Sequence, residues 1–376
     1  MMNRRTFTLT TAALAASGFH SAQAQSEGKI LLGQSAALTG AAAQLGIQFN
    51  AGARVFFDQL NSKGGIHRKQ IELVAIDDGY EPDRCVENTK KFISDDVFAL
   101  FGYIGTPTSL AALPLVTKIN MPFIAPFTGA MSLREPLHKN VFHLRASYND
   151  ETDLIVKQLD SLGLNRIAVF YQNDAYGKAG LDGVTKALAA LNRKPVAVAT
   201  VERNSTDVAA AVKALVPTMA DAIIQVSAYK SCAAFIRAAR AAGYGGQYFN
   251  LSFVGTQALS DELGKDGAGV VISQVVPSPY STATPIAREF AAAIAAHGKG
   301  VHANYSSMEG YLAARMVADG LTRAGPRPTR DAFITGLEAI GRTDYGGFAI
   351  SLSSKDHVAS SYVNKSMLTG DGRVRT

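Results

Sequence analysis

A tyrosine stands where a strand meets a helix in the second half of the chain. The apolar run at residues 166–171 stops at the polar turn 172–174, and a helix of small residues begins just after Tyr176 and Gly177. This order is typical of a strand–loop–helix unit of a parallel sheet. Loops at the carboxyl ends of such strands face the ligand crevice. We therefore expect the Tyr176 ring to contact a small molecule, the alternative being a buried core tyrosine.

A second unit of this kind lies in the first half. The apolar run at 97–101 leads into residues 102–109, where Pro107 suits the first turn of a helix that extends to about residue 119. Two such loops, one in each half, predict a ligand held between two lobes.

Motifs of catalysis and metal binding do not accompany these loops. Gly-x-Ser-x-Gly is absent, no Gly-x-Gly-x-x-Gly opens a helix after a strand, and residues 105–107 lack the lysine of a nucleotide-binding loop. The sequence also lacks His-x-x-x-His and Cys-x-x-Cys pairs. We expect no enzyme activity, no metal and no cofactor, although an exported hydrolase or dehydrogenase on the same framework is the rival interpretation. Cys85 and Cys232 are predicted to be free, largely buried thiols, because a bridge between moving lobes would lock them.

The N-terminus predicts export. Arg4 and Arg5 precede a segment without carboxylates, and Ala22-Gln23-Ala24 matches the pattern cleaved by signal peptidase, so cleavage is expected after Ala24. The order at residues 3–7 resembles a twin-arginine signal, but two arginines also serve an ordinary secretory signal. Later residues contain no apolar run long enough for a membrane span.

Composition is that of an ordinary two-domain protein. Removing residues 1–24 leaves 352 residues, enough for two cores, and lowers the net charge from +6 to +4. Lysine and arginine are scattered without an arginine-rich helix or an aromatic-interleaved basic run, so no nucleic-acid binding is expected.

Strands and helices alternate along the chain, which predicts two doubly wound α/β units with parallel sheets. Three helical segments after residue 276 have no sheet of their own and are expected to return to the first lobe. The prediction is a signal peptide at 1–24, lobe 1 at 25–146 plus 277–345, and lobe 2 at 147–276 plus 346–376. Three connections, near residues 147, 277 and 346, would form the hinge.

Several short stretches, in this order, resemble the type I periplasmic solute-binding proteins of ABC importers, the class that includes the leucine/isoleucine/valine-binding proteins. They are SAALTG at 35–40, NSKGGI at 61–66, DD at 77–78, FGY at 101–103, NDAYG at 173–177, RAAGY at 240–244 and YSSMEGY at 305–311. The resemblance covers essentially all of the chain after the signal. It implies a periplasmic monomer that captures a small molecule and works with a permease in the inner membrane. A sensor that acts on a membrane receptor has the same fold and is the alternative function.

The resemblance also implies ligand contacts. In lobe 1, the loop at 105–108 would hold a carboxylate through main-chain amides and hydroxyls, with Thr106 as a plain helix N-cap being the alternative. Gly129 would let the backbone approach the ligand or would be a simple turn residue. Glu309 would reach the cleft or would complement the dipole at a helix start. The predicted ligand-binding residues are Tyr103, Gly105, Thr106, Thr108, Thr128, Gly129, Tyr176, Tyr229, Phe253, Tyr305 and Glu309.

One departure from the family pattern bears on the ligand. Amino-acid binders of this family place an acidic residue after the strand that corresponds to residues 247–251, where this chain has Asn250-Leu251-Ser252-Phe253-Val254. An unpaired ammonium in a closed cleft costs several kcal/mol. An organic acid without an α-amino group is therefore expected first and an amino acid second, unless Glu309, Asp78 or Asp174 substitutes.

Overall fold

The computed structural model describes residues 28–376, so the predicted signal peptide and its cleavage after Ala24 lie outside the described residues. The first lobe is built from five strands and the helices between them: β1 (Ile30–Ala36), α1 (Ala43–Ser62), β2 (Ile71–Asp77), α2 (Pro82–Ser94), β3 (Ala99–Phe101), α3 (Thr106–Lys118), β4 (Phe123–Ile124) and β5 (Val141–Phe142). The strands form one parallel sheet in the order β2-β1-β3-β4-β5.

The second lobe repeats the plan. It contains α4 (Tyr148–Ser161), β6 (Ile167–Gln172), α5 (Ala175–Ala189), β7 (Ala197–Val201), α6 (Ala209–Leu215), β8 (Ala222–Val226), α7 (Tyr229–Ala241), β9 (Gln247–Asn250), α8 (Thr256–Leu263) and β10 (Val271–Gln274). The strand order reverses between β1 and β3 in the first sheet and between β6 and β8 in the second. Thr106 and Tyr176 follow β3 and β6, so both loops lie at the switch points where such sheets bind ligands. The predicted two-lobed doubly wound α/β fold is confirmed.

After β10 the chain returns to the first lobe. The returning elements are α9 (Pro285–His297), α10 (Tyr305–Ala324), α11 (Arg330–Glu338), β11 (Gly341–Asp344), β12 (Ala349–Leu352), β13 (Asn364–Leu368) and β14 (Val374–Arg375). Helices α9 and α10 pack on α1, while β13 and β14 complete the second sheet, which has the order β14-β13-β10-β9-β8-β6-β7.

The third connection lies later than residue 346. Strand β12 pairs with β11 in a separate two-stranded sheet, and the Tyr345 hydroxyl donates a 2.7 Å hydrogen bond to Asp319 of α10. The chain joins the second sheet only at Asn364. The sequence suggested an earlier crossing because β11, a short and half-exposed strand, was not predicted, so β12 had no partner within its own lobe.

Two glycines let α1 and α10 approach closely. A Cβ atom at Gly310 would lie 2.0 Å from the carbonyl oxygen of Phe49, and one at Gly52 would lie 1.8 Å from that of Ser307. Larger residues at either position would push the helices apart. This contact fixes the start of α10, which carries Tyr305 and Glu309, against the first lobe.

Across residues 28–376, no helix has the length and apolar character needed to cross a membrane. Cys85 in α2 and Cys232 in α7 are both buried and free, which confirms the prediction of two buried thiols.

Candidate ligand-binding site

Five aromatic rings from both lobes meet between the sheets. We call Tyr80, Phe127, Tyr148, Tyr176 and Phe253 the aromatic cluster. The Phe253 ring from lobe 2 lies 4.4 Å from that of Tyr176, 5.6 Å from Phe127 and 5.9 Å from Tyr80. The rings of Tyr148 and Tyr176 are 5.3 Å apart. All five are essentially fully buried, so in this structure the lobes are in direct contact around Phe253.

A buried ion pair borders the cluster. Arg145, just after β5, donates from Nε and Nη2 to the two carboxylate oxygens of Glu309, each at 2.8 Å, and its guanidinium lies 4.2 Å from the centre of the Phe127 ring. Both side chains are at most 5% exposed. Burial opposes the charge, but the Glu309 carboxylate outweighs it and holds the pKa of Arg145 above its usual value. Sequence reasoning missed Arg145, whose partner is 164 residues away.

Three polar atoms of this region are buried without a hydrogen-bond partner among the described residues. They are the hydroxyls of Tyr148 and Tyr176 and Nη1 of Arg145. A buried polar group without a partner costs about 1 to 3 kcal/mol, and more when it is charged. The lobes in contact therefore present groups that a polar solute could satisfy.

A second carboxylate lies where the sequence indicated none. Glu151 of α4 accepts from the backbone amide of Ser252 at 2.8 Å and from its hydroxyl at 3.0 Å, and the Ser273 hydroxyl also donates to it. Burial raises the pKa of Glu151. Residues 250–254 contain no carboxylate, but Glu151, which is 101 residues away in the sequence, places one next to Ser252.

The hydroxyls at the start of α3 are engaged within lobe 1. Thr106 Oγ1 lies 2.6 Å from Thr128 Oγ1, and Thr108 Oγ1 donates to the carbonyl oxygens of Ile104 and Gly105. The N-cap position belongs to Gly105, whose φ of 100° suits glycine, so Thr106 is not the N-cap. One hydroxyl of the Thr106–Thr128 pair keeps a proton to donate elsewhere.

Gly129 allows Tyr148 to approach. Its carbonyl accepts from the Tyr148 amide at 2.8 Å, and a Cβ atom there would lie 2.5 Å from Cδ1 of the Tyr148 ring. A side chain at Gly129 would displace this ring. Gly129 thus shapes the cluster through Tyr148, a residue that the sequence did not single out.

The remaining predicted residues lie at different distances from the cluster. Tyr103 does not join it: its ring packs on Phe123 at 5.0 Å, and its hydroxyl lies 3.1 Å from Thr89 in the outer core of lobe 1. Successive residues of an extended segment point to opposite sides. The position of Tyr103 next to the loop therefore did not determine that its side chain would point toward the cleft. Tyr305 packs on Tyr280 at 5.7 Å, at the edge of the lobe contact.

Tyr229, at the start of α7, reaches across to lobe 1. Burial raises the pKa of its hydroxyl, and the nearby backbone of Gln44 in α1 acts in the opposite direction. Nearby, a Cβ atom at Gly255 would lie 2.5 Å from the Leu45 side chain. Tyr229 therefore contributes to the contact between the lobes.

The three carboxylates considered as substitutes for the missing acid already have donors. Asp78 accepts from Ser35 and from the Tyr80 amide, and burial raises the pKa of Asp78 to about 6. Asp174 caps α5, and Glu309 is paired with Arg145.

A polar contact closes one edge of the cleft. Arg203, after β7, donates to Glu81 at 2.6 Å, and Asn204 donates to Glu81 at 2.7 Å and to the Gly79 carbonyl at 3.1 Å. We call these residues the latch. It joins lobe 2 to the loop before α2, on both sides of Tyr80 in the sequence.

The carboxyl ends of the parallel strands of both sheets meet in a two-lobed structure, with unpartnered polar atoms between them. The chain belongs to the periplasmic binding protein family, whose profile matches residues 29–369. Among residues 28–376, no group of three or more His, Cys, Asp or Glu side chains is arranged to hold a metal ion.

Its relatives are named as binding proteins. The Leu/Ile/Val-binding protein BraC3 of Rhizobium johnstonii is 24% identical, over 84% of this chain and 87% of that one. A substrate-binding periplasmic protein from Ralstonia solanacearum is 33% identical with a TM-score of 0.87, covering 92% of this chain and 99% of that one. A possible leucine/isoleucine/valine-binding protein from Rhodopirellula baltica is 32% identical with a TM-score of 0.86, covering 92% and 95%.

Proposed function

We propose that this protein captures a small carboxylate-bearing solute, an organic acid or an amino acid, between its lobes and delivers it to an ABC permease. The observation that carries the proposal is the set of buried, unpartnered polar atoms on Tyr148, Tyr176 and Arg145 beside the aromatic cluster. A carboxylate would satisfy these donors, and the rings would cover an apolar body. Binding rather than catalysis is the activity proposed, in keeping with relatives that are named as binding proteins.

Capture proceeds by closure. The solute meets lobe 1 first, at the start of α3 and at Thr128, and lobe 2 then brings Tyr176 and Phe253 over it. Closing without a solute buries the unpartnered donors at a cost of about 1 to 3 kcal/mol each, whereas closing on a solute satisfies them. The solute therefore shifts the population toward the closed form, which is the form that the permease would recognise.

The protein is proposed to act in the periplasm as a monomer, after cleavage of the signal peptide behind Ala24. N-terminal sequencing of the exported protein tests the cleavage site. Loss of solute uptake when the gene is deleted tests delivery to a permease, and normal uptake with a lost response to the solute would favour the sensor instead.

Binding is tested on the mature protein by thermal shift with monocarboxylates, their amino analogues and uncharged amides. A ligand that binds only the folded form raises the melting temperature. We expect carboxylates to raise it and matched amides to have a smaller effect, and small-angle scattering should show compaction with the same solutes. A melting temperature that no carboxylate-bearing compound changes would refute the proposed function.

The variant Tyr176→Phe sharpens this test, because it removes only an unpartnered hydroxyl and keeps the ring. The folded protein should be at least as stable as the wild type, while carboxylate affinity falls. Unchanged affinity would place the Tyr176 hydroxyl outside the site.

A further inference from the structure

Arg145 has donors that the protein does not use. Of the five N–H groups of a guanidinium, those that point from Nε and Nη2 toward Glu309 are paired at 2.8 Å. Nη1 is buried and has no partner within residues 28–376. The side chain is 1% exposed and its guanidinium carbon lies 4.2 Å from the centre of the Phe127 ring, so the guanidinium is held at the border of the aromatic cluster. An arginine that served only to pair with Glu309 would not need a buried free edge.

The neighbouring carboxylates already accept hydrogen bonds from protein groups. Glu309 gives both oxygens to Arg145, and Glu151 accepts from Ser252 and Ser273. An ammonium group entering here would find no carboxylate without donors, and it would meet the guanidinium. A carboxylate would find Nη1 and the free hydroxyls of Tyr148 and Tyr176.

We propose that Arg145 is the specificity-determining residue, and that its Nη1 binds the carboxylate of an organic monocarboxylate that has no α-amino group. This inference rests on the proposed function and names the solute class for the same site. The apolar body of the acid lies against Phe253 and Tyr176. A second carboxylate on the solute is disfavoured, because Glu309 and Glu151 would repel it and only one edge of Arg145 is free.

Glu309 reduces the effective charge of Arg145, and Glu309→Gln keeps an amide oxygen that still accepts a hydrogen bond from the guanidinium and holds it in place. Removing the charge of Glu309 while keeping its shape should therefore strengthen anion binding. This sign separates the inference from a purely structural pair, for which loss of the partner could only weaken the site.

The test uses three probes with one carbon skeleton: 4-methylpentanoate, its primary amide and its α-amino analogue leucine. Each is titrated calorimetrically into the mature wild-type protein and into Arg145→Lys, Arg145→Met and Glu309→Gln. We expect the wild type to bind 4-methylpentanoate at least tenfold more tightly than the amide or leucine. Arg145→Lys should lose about tenfold to a hundredfold of that affinity, because charge-assisted bonds of this strength correspond to such factors. Glu309→Gln should bind 4-methylpentanoate more tightly and the amide equally well.

Because Arg145→Met can fail to fold, the test depends on Arg145→Lys and Glu309→Gln. Circular dichroism checks that both variants are folded. Equal 4-methylpentanoate affinity in wild type and Arg145→Lys would overturn the inference and leave the proposed function intact. Weaker binding of 4-methylpentanoate by folded Glu309→Gln would also overturn it. Tighter binding of leucine than of 4-methylpentanoate by the wild type, lost in Glu151→Gln, would overturn it and make Glu151 the ammonium partner. No binding of any probe by the folded wild type would overturn the inference, and failure of the wider carboxylate screen as well would overturn the proposed function.

Discussion

We predict from the latch that a substitution outside the aromatic cluster can change the ratio of closed to open molecules. Glu81→Ala removes the 2.6 Å ion pair with Arg203 and the 2.7 Å hydrogen bond from Asn204. The substitution leaves α2 itself intact, because the Glu81 side chain makes no capping bond to its helix. The effect should therefore fall on the contact between the lobes.

Its magnitude follows from the exposure of the pair. The side chains of Arg203 and Glu81 are 25% and 42% exposed, so solvent screens the ion pair and reduces it to about 0.5 kcal/mol. The hydrogen bond from Asn204 to the carboxylate adds about 1 kcal/mol. Together they amount to about 1.5 kcal/mol, so the ratio of closed to open molecules should fall about tenfold.

The assay is single-molecule energy transfer between labels on the two lobes, at low salt and without solute. The matched control is Glu87→Ala, which breaks an exposed pair with Lys90 on the same helix but within one lobe. We expect the closed fraction to fall in Glu81→Ala and to stay unchanged in Glu87→Ala. A double-mutant cycle with Arg203→Ala should show a coupling energy that decreases as salt is added. Equal closed fractions in Glu81→Ala and Glu87→Ala, with no coupling to Arg203, would refute the reasoning.

Three further outcomes are expected. Thr106→Val removes the hydroxyl paired with Thr128, so calorimetry should show carboxylate affinity falling about tenfold to a hundredfold with the fold preserved; unchanged affinity would remove Thr106 from the site. Gly310→Ala forces a Cβ atom to 2.0 Å from the Phe49 carbonyl and should cost about 1 to 3 kcal/mol in denaturant unfolding, which an unshifted midpoint would contradict. Burial raises the pKa of Asp78 from 3.8 to about 6, so the folded state holds this proton more tightly than the unfolded chain. The resulting stabilisation is complete below pH ~4 and is lost as pH rises through ~6. Asp78→Asn should make the melting temperature less dependent on pH between about pH 4 and 6. A variant whose melting temperature changes with pH in parallel with the wild type would show that Asp78 does not cause this dependence.

Local sequence patterns were sufficient to predict most of the architecture. Apolar runs of strand length and helical periodicity depend on residues that are close in sequence, so the alternation of β1 to β10 with helices was predictable to within a few residues. The placement of Thr106, Tyr176 and Phe253 in loops after parallel strands could also be predicted from the sequence, because such loops gather at one edge of a sheet. Elements with weak local signals were missed: the eight-residue helix α8 and the short strand β11.

Tertiary structure decided which side chains face each other. Arg145 meets Glu309 and Glu151 meets Ser252 across separations of 164 and 101 residues, and no periodicity links such positions. The same holds for Tyr103, whose neighbourhood in sequence suggested the cleft while its backbone direction turned it into the outer core. The sequence by itself therefore determined the fold class, the two lobes and the loops that follow the parallel strands, because these follow from local hydrophobic patterns. The charges at the cleft were decided only when distant segments packed together, because a buried ion needs its partners in space and not in sequence.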